Sequence, residues 1–171
     1  MKKIYFAGKF NILKDDNLPL EKRLENDYRS KLLGNPRRLT YATENLLLNN
    51  GYIYSGPFYC EQASNGNFTS TDCNAVLKAE YDAISKCDSY FVVFDQKFSV
   101  GSIVELDWAL EMNKRIIIFY EEEESNYDIK SEYWFAIANA LSKSKKVKVL
   151  KFNNMNSVIN EINKGEIFNE V

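Results

Sequence analysis

Glu105 is the carboxylate of this chain that is best placed to do chemistry. It follows an apolar run, residues 89–94 (SYFVVF), and a short turn that contains Ser99, Gly101 and Ser102. The pattern predicts a strand, a turn and a helix, with the carboxylate above the carboxyl ends of the strands, where α/β sheets bind ligands. The helix dipole and nearby N–H groups would keep it ionised. Such a carboxylate can attack an electrophilic sugar carbon or stabilise an oxocarbenium-like centre.

Glu105 also has a purely structural explanation. With Ser102 as the N-cap, residues 102–105 (SIVE) fit the S-x-x-E capping box, in which the acid satisfies a backbone N–H at the start of the helix. The two explanations are compatible. The substitution Glu105→Gln separates them, because it keeps a capping side chain and removes the nucleophile.

Small residues occur at two predicted strand ends. Ser99, Gly101 and Ser102 would let backbone N–H groups approach an anion or a sugar hydroxyl. Gly8, after the first predicted strand, faces the same edge of the sheet. Ordinary turns have the same composition, and a glycine there can simply serve a positive φ, so both interpretations stay open.

Four further side chains are candidates for the same edge. Tyr5 lies within the first predicted strand, and Asp95 ends the apolar run at 89–94. Glu80 and Asp82 lie on the predicted helix before that run. An Asp at a strand end is often only a cap, and acids on helices mostly face solvent. Glu80 or Asp82 reaches the site only if its helix turns that face inward.

The composition excludes several mechanisms. The sequence has no histidine, so Ser-His-Asp, Cys-His and His-ligated metal chemistry are excluded, and we expect no cofactor. A net charge of -2 gives no reason to expect a nucleic acid polymer or a membrane surface as partner. The 3 cysteines lack metal-like spacing and suit a reducing cytoplasm. We recognise no signal peptide, and no apolar run approaches the ~20 residues of a membrane span.

The arrangement of elements predicts one α/β domain over residues 1–171. Short apolar runs alternate with helical patterns, which indicates a five-stranded, mostly parallel sheet with helices on both faces. The predicted strands are 3–7, 52–55, 89–94, 115–120 and an edge strand at 146–152. The predicted helices are about 20–33, 39–48, from the N-cap Asp72 to 86, 102–112, 130–143 and 155–164.

The sequence resembles the nucleoside 2-deoxyribosyltransferase family in several segments, in chain order. They are 3–10 (KIYFAGKF), 55–58 (SGPF), 80–88 (EYDAISKCD), 99–110 (SVGSIVELDWAL) and 113–118 (NKRIII). The resemblance spans about residues 1–120. It implies a flavodoxin-like fold and an enzyme that cleaves the N-glycosidic bond of nucleosides or their 5′-monophosphates.

The resemblance also implies roles for individual residues. Glu105 falls on the family's nucleophile, which forms a covalent glycosyl-enzyme that a second nucleobase or water resolves. Tyr5 falls on the strand-one tyrosine that orients this glutamate. Glu80 falls on the acid that handles the proton of the leaving base, with Asp82 as the substitute if the helix is shifted.

Three positions depart from the family pattern. Glu80 stands where the family usually has Asp, and Ile103 replaces a Gly or Ala and would narrow the cleft. Ser99 stands where the transferases have an Asp that binds the sugar 5′-hydroxyl, whereas members that accept a 5′-phosphate have Ser. An Asp would repel a phosphate and a hydroxyl can donate to it, so Ser99 favours a nucleotide. Asp95 would act in the opposite direction if it replaces the missing carboxylate.

The function that we predict is transfer of the sugar from a nucleoside or its 5′-monophosphate to another free nucleobase. The alternatives are a nucleoside 5′-monophosphate N-glycosidase, with water as acceptor, and a binding or sensing module without turnover. Phe10 and Phe58 would sandwich the base, or else pack in the core. We expect a homo-oligomer, with the aromatic residues 133–135 (YWF) either at an interface or buried within the chain.

Overall fold

The computed structural model describes residues 2–8, 51–56, 73–94, 99–121, 131–153 and 164–169, together with residues 157, 160 and 161. The strands within these ranges are β1 (Lys2–Gly8), β2 (Tyr52–Tyr54), β3 (Ser89–Phe94), β4 (Arg115–Glu121) and β5 (Val147–Phe152). The α-helices are α1 (Cys73–Lys86), α2 (Val100–Glu111) and α3 (Ser131–Lys143), and a 3-10 helix spans Glu166–Phe168. None of the described helices is long and apolar enough to span a membrane.

The five described strands form one sheet in the order β2-β1-β3-β4-β5, and every pair is parallel. This is the flavodoxin-like order, so the predicted α/β class is confirmed and the sheet is wholly rather than mostly parallel. The strand order reverses at β1, which has β2 on one side and β3 on the other. Ligands bind such sheets outside the carboxyl ends of the strands at this reversal.

Apolar strands explain why the sheet is central. All six residues of β3 are buried, as are Ile4–Ala7 of β1 and Ile116–Tyr120 of β4. A strand of a parallel sheet is buried on both faces and therefore shows a continuous apolar run rather than an alternating one. β5 lies at one edge, as predicted.

The described helices lie side by side on one face of the sheet. α2 is in the middle, packs against α1 and α3, and crosses β1, β3 and β4. Tyr5, Tyr90 and Ile118 point from the sheet into this layer, where they meet Leu106 and Ala109 of α2. On the opposite face Phe6, Phe91 and Phe119 form a buried row, with neighbouring ring centroids 5.5 and 6.5 Å apart.

The sequence located most of these elements to within one or two residues, and strand 89–94 without error. Residues 157, 160, 161 and 164 are helical, inside the predicted helix 155–164. The predicted helices 20–33 and 39–48 lie outside the described residues, as does Asp72. The 3-10 helix was not predicted.

One helix start was wrong. The pattern placed Ser102 at the N-cap of a helix over 102–112, whereas α2 begins at Val100 and its N-cap is Ser99. Ser99 has extended backbone angles, φ -134° and ψ 104°, and its hydroxyl accepts from the Ser102 N–H at 3.4 Å. Glu105 therefore lies in the second turn of α2, beyond the position of a capping-box acid, so the capping explanation of this residue is excluded.

Candidate active site

Tyr5 and Glu105 are joined directly. The Tyr5 hydroxyl donates to Glu105 Oε1 at 2.7 Å, between residues 100 positions apart in the sequence. Glu105 is only 8% exposed, and Tyr5 is fully buried. β1 brings the phenol up from the sheet and the second turn of α2 brings the carboxylate down to it. The sequence prediction placed both residues at one site, and the structure brings them together.

The surroundings of Tyr5 fix its protonation state. Burial raises the pKa of Tyr5 well above its ordinary value of 10.0, the charges of Glu105 and Glu80 raise it further, and the hydrogen bond to Glu105 adds to the effect. The hydroxyl therefore keeps its proton at neutral pH. It is therefore available as a hydrogen-bond donor to Glu105 at neutral pH.

Tyr90 supports Tyr5 from the neighbouring strand. The two residues are partners in the β1–β3 register, and their rings stack with centroids 5.7 Å apart and planes 13° apart. The Tyr90 hydroxyl donates to the backbone carbonyl of Ser102 at 3.0 Å. The sequence analysis missed Tyr90. Its signal was a tyrosine inside a buried aliphatic strand, because a buried phenol needs a hydrogen-bond partner.

A third tyrosine binds the turn before α2. The Tyr133 hydroxyl, from α3, accepts a hydrogen bond from the Ser99 N–H at 3.0 Å. Ser99 and Ser102 lie with their hydroxyl oxygens 3.0 Å apart. Tyr133 is 2% exposed, whereas its neighbours Trp134 and Phe135 are 55% and 73% exposed. Of the aromatic trio at 133–135, Tyr133 is therefore buried within the chain and does not belong to an exposed interface.

The three tyrosine contacts occur at regular intervals along the start of α2. The hydroxyls of Tyr133, Tyr90 and Tyr5 meet the helix or its N-cap at positions 99, 102 and 105, each three residues after the last. Successive positions at this spacing are neighbours on the helix surface, about 60° apart around the axis. These hydrogen bonds anchor the first two turns of α2 to α3, β3 and β1.

Glu80 is near this cluster and Asp82 is not. Both are half-buried residues of α1. Glu80 is among the described charges that raise the pKa of Tyr5, and Asp82 is not among them. Two residues correspond to about 200° around a helix, so the two acids project in opposite directions. Ala83, three residues after Glu80, packs beside Tyr5 and Gly56. The face that carries Glu80 is thus turned inward.

Gly56 forms part of the wall beside Tyr5. It has a φ of +136°, and a Cβ added there would lie 3.1 Å from Ala83 Cβ and 3.2 Å from the Tyr5 ring. Its carbonyl accepts a hydrogen bond from the Phe6 N–H at 2.9 Å. The resemblance included this glycine in the segment 55–58 without giving it a role. Its role depends on a close approach of α1 and β1 that a sequence does not display.

The remaining candidates are placed as follows. Gly8 ends β1 with a positive φ of 155°. Gly101 is exposed in the first turn of α2, with open space where a Cβ would stand. Ile103 is half-buried and packs against the core cluster of the α2 face. Phe10, Phe58 and Asp95 lie outside the described residues.

The fold has counterparts among solved structures. The Clostridium botulinum CMP N-glycosidase BcmB superposes with a TM-score of 0.51 at 19% sequence identity, over 94% of this chain and 98% of that one. A 2-deoxyribosyltransferase from the psychrotolerant bacterium Bacillus psychrosaccharolyticus gives 0.50 at 20% identity, over 92% of this chain and 90% of that one. No protein-family model and no curated protein matches the sequence. At these identities the likeness confirms the resemblance at the level of the fold.

Proposed function

We propose that this chain cleaves the N-glycosidic bond of a nucleoside or its 5′-monophosphate and passes the sugar to another nucleobase, with Glu105 as the nucleophile. The observation that carries the proposal is the 2.7 Å hydrogen bond from Tyr5, on the central strand β1 of a flavodoxin-like sheet, to Glu105 of α2. Nearly complete burial of a carboxylate is costly unless it is paired. A carboxylate kept there and oriented by a phenol suits attack on carbon better than it suits solubility or capping.

The proposed reaction has two displacements at C1′. In the first, a Glu105 oxygen forms a bond to C1′ while the bond from C1′ to the base nitrogen breaks. The base leaves with the electron pair of that bond and takes a proton from Glu80. In the second, Glu80 accepts the proton of an incoming base, whose nitrogen attacks C1′ and releases Glu105 as a carboxylate. General acid help of this kind contributes about 10²–10⁴-fold.

The placement of the two carboxylates supports these separate roles. The charges of Glu105 and Glu80 both act on Tyr5, so both acids lie around one phenol. The reaction requires Glu105 ionised and Glu80 protonated in the first step, and like charges that share a site favour one proton between them. Tyr5 donates to Glu105, and a donor directed at this carboxyl group favours its ionised form, which supports the nucleophile role for Glu105.

The turn before α2 supports a substrate with a 5′-phosphate. Ser99 places a hydroxyl at the N-terminus of α2, where the helix dipole and N–H groups favour an anion. A carboxylate in the place of Ser99 would repel that anion. This observation favours a second candidate function, a nucleoside 5′-monophosphate N-glycosidase in which water attacks C1′ in the second step. One of the structures that share the fold is a CMP N-glycosidase.

The test uses the purified chain with a deoxynucleoside or its 5′-monophosphate, in the presence and absence of a second free base. Base exchange supports transfer, and release of base from the monophosphate alone supports the N-glycosidase. We expect Glu105→Gln to lower either rate by about 10³-fold or more, because the nucleophile is lost. Glu111→Gln is the matched control, since it makes the same change at an exposed position of the same helix.

Two results would count against the proposal. Turnover by Glu105→Gln at the parent rate would exclude Glu105 as the nucleophile. Tight nucleotide binding with no turnover by the parent protein indicates the non-catalytic binding or sensing module instead.

A further inference from the structure

We propose that Tyr133 is a positioning residue that sets the preference of the site for a 5′-phosphate by holding Ser99. The inference rests on the proposed function, because it concerns the end of the nucleotide that Ser99 would bind. It concerns a residue of α3 that lies 34 positions from Ser99 in the sequence and acts through it.

Tyr133 is itself held firmly. It is almost fully buried, and its ring stacks on Phe94, the last residue of β3, with centroids 4.3 Å apart and planes 14° apart. Its hydroxyl accepts the Ser99 N–H at 3.0 Å. The phenol therefore spans from the end of β3 to the N-cap of α2. It defines how the chain enters the helix after leaving the sheet.

The contact matters because the other bonds of Ser99 are weak or within the turn. Its hydroxyl accepts from the Ser102 N–H at 3.4 Å, beyond the usual range for such a bond, and lies 3.0 Å from the Ser102 hydroxyl. The N–H and the Cβ of a residue are rigidly linked except for rotation about φ. When Tyr133 fixes the N–H and α2 fixes the following residue, only χ1 remains to direct the Ser99 hydroxyl.

Tyr133 also connects the turn before α2 to the helix α3. α3 packs beside α2, and Lys143 Nζ lies 2.9 Å from Asp107 Oδ1 near the other end of α2. The Lys143–Asp107 pair is half-exposed and contributes little energy. The partly buried contact of Tyr133 with Ser99 is therefore the more specific link between the two helices at the site.

The test compares Tyr133→Phe, which keeps the stacked ring and removes only the hydroxyl, with Tyr120→Phe. Tyr120 is also buried, and its hydroxyl makes no hydrogen bond to the described part of the chain. The measured quantity is the ratio of dissociation constants for a deoxynucleoside and its 5′-monophosphate, obtained by titration calorimetry in a Glu105→Gln background without turnover. We expect Tyr133→Phe to lower the preference for the monophosphate about fivefold, the value of one hydrogen bond, and Tyr120→Phe to leave it unchanged.

A double-mutant cycle separates positioning from general damage. In a Ser99→Ala background, Tyr133→Phe should have little further effect on the ratio, because its partner's hydroxyl is already absent. In the active protein the KM for the monophosphate should rise more than kcat falls. An unchanged ratio, or effects of the two substitutions that simply add, overturns the inference and leaves the proposed function intact.

Other outcomes are equally decisive. If the parent protein binds neither compound, both the proposed function and this inference fail. If Tyr133→Phe does not fold, amide exchange of the parent protein still tests the contact, since the Ser99 N–H should exchange more slowly than an unprotected peptide. Unprotected exchange at Ser99 would refute the proposed role of Tyr133.

Discussion

The Tyr5 hydroxyl and the Glu105 carboxylate are held 2.7 Å apart by two different layers of the fold, the central strand β1 and the helix α2. We expect Tyr5→Phe to lower kcat by about 10- to 100-fold, because the carboxylate loses the donor that aims it. The same change removes a charge-assisted hydrogen bond worth about 1.5–3 kcal/mol. Steady-state kinetics and thermal unfolding measure the two effects. Tyr120→Phe is the control, and equal losses in both variants would contradict a special role for Tyr5.

Substitution of Gly56 tests whether the space beside the Tyr5 ring must stay free of a side chain. Gly56→Ala would place a methyl group 3.2 Å from the Tyr5 ring and 3.1 Å from Ala83 Cβ. Gly51→Ala is the matched control, since Gly51 also has a positive φ, +77°, but has open space around the added Cβ. We expect Gly56→Ala to be less stable than Gly51→Ala by about 1–3 kcal/mol, the cost of overpacking.

Activity gives a second readout of the same pair of glycine variants. Gly56→Ala should reduce kcat through displacement of the phenol, whereas Gly51 lies at the opposite edge of the sheet, at the start of β2. A Gly56→Ala protein with the stability and activity of the Gly51→Ala protein would show that α1 yields to the added methyl group.

Substitutions of Glu80 and Asp82 should differ in their effect on proton transfer to the leaving base. We expect Glu80→Gln to lower kcat by about 10²–10⁴-fold and to remove the alkaline limb of the pH–rate profile, because the general acid is lost. Asp82→Asn should have a small effect, since this side of α1 turns away from Tyr5. The assay uses one nucleoside whose base requires protonation and another whose base leaves readily. Equal rates of Glu80→Gln and the parent on the first compound would rule Glu80 out as the acid.

Alkaline pH should destabilise the fold through Cys87. Burial raises the pKa of this thiol from its ordinary value of 9.0 to about 11. The native state therefore keeps a proton that the unfolded chain releases above pH 9. The contribution of the Cys87 thiol to the free energy of unfolding is fully present below pH 9. It is lost as the pH rises towards 11. The difference between these values corresponds to about 3 kcal/mol.

The measurement is urea unfolding at pH 8, 9, 10 and 11 for the parent and for Cys87→Ala. The variant should lose less stability over this range, even if it begins less stable. Tyr5, whose pKa is also raised, contributes a loss above pH 10 that both proteins share. Parallel curves for the two proteins would show that Cys87 does not titrate as its burial implies.

The sequence predicts the architecture well because each described strand is a short apolar run between polar segments. Strand 89–94 is a clear case, since nothing in it competes with a buried strand. The start of α2 was misjudged because Ser99 and Ser102 both suit an N-cap, and the capping-box pattern favoured the second. Which serine is the N-cap depends on the backbone at Ser99. Its N–H donates to the hydroxyl of Tyr133, from a helix that is distant in the sequence.

The site residues that belong to a sequence motif could be predicted. Those that act through packing could not. Glu105, Tyr5 and Glu80 came from segments that resemble a known family, and the structure clusters them. Tyr90, Tyr133 and Gly56 act through contacts with residues distant in the chain. Their side-chain types are common in cores, so only the three-dimensional arrangement separates them from ordinary packing.

The row of tyrosine contacts along α2 has a consequence for how the helix can move. Positions 99, 102 and 105 span about 9 Å of helix axis, and each is bonded to a different element of the fold. A slide of one residue would shift the helix by about 1.5 Å, rotate it by about 100° and break all of these bonds together. A one-residue register shift of α2 is therefore costly, and these hydrogen bonds to α3, β3 and β1 tie any movement of the helix to all of these elements together.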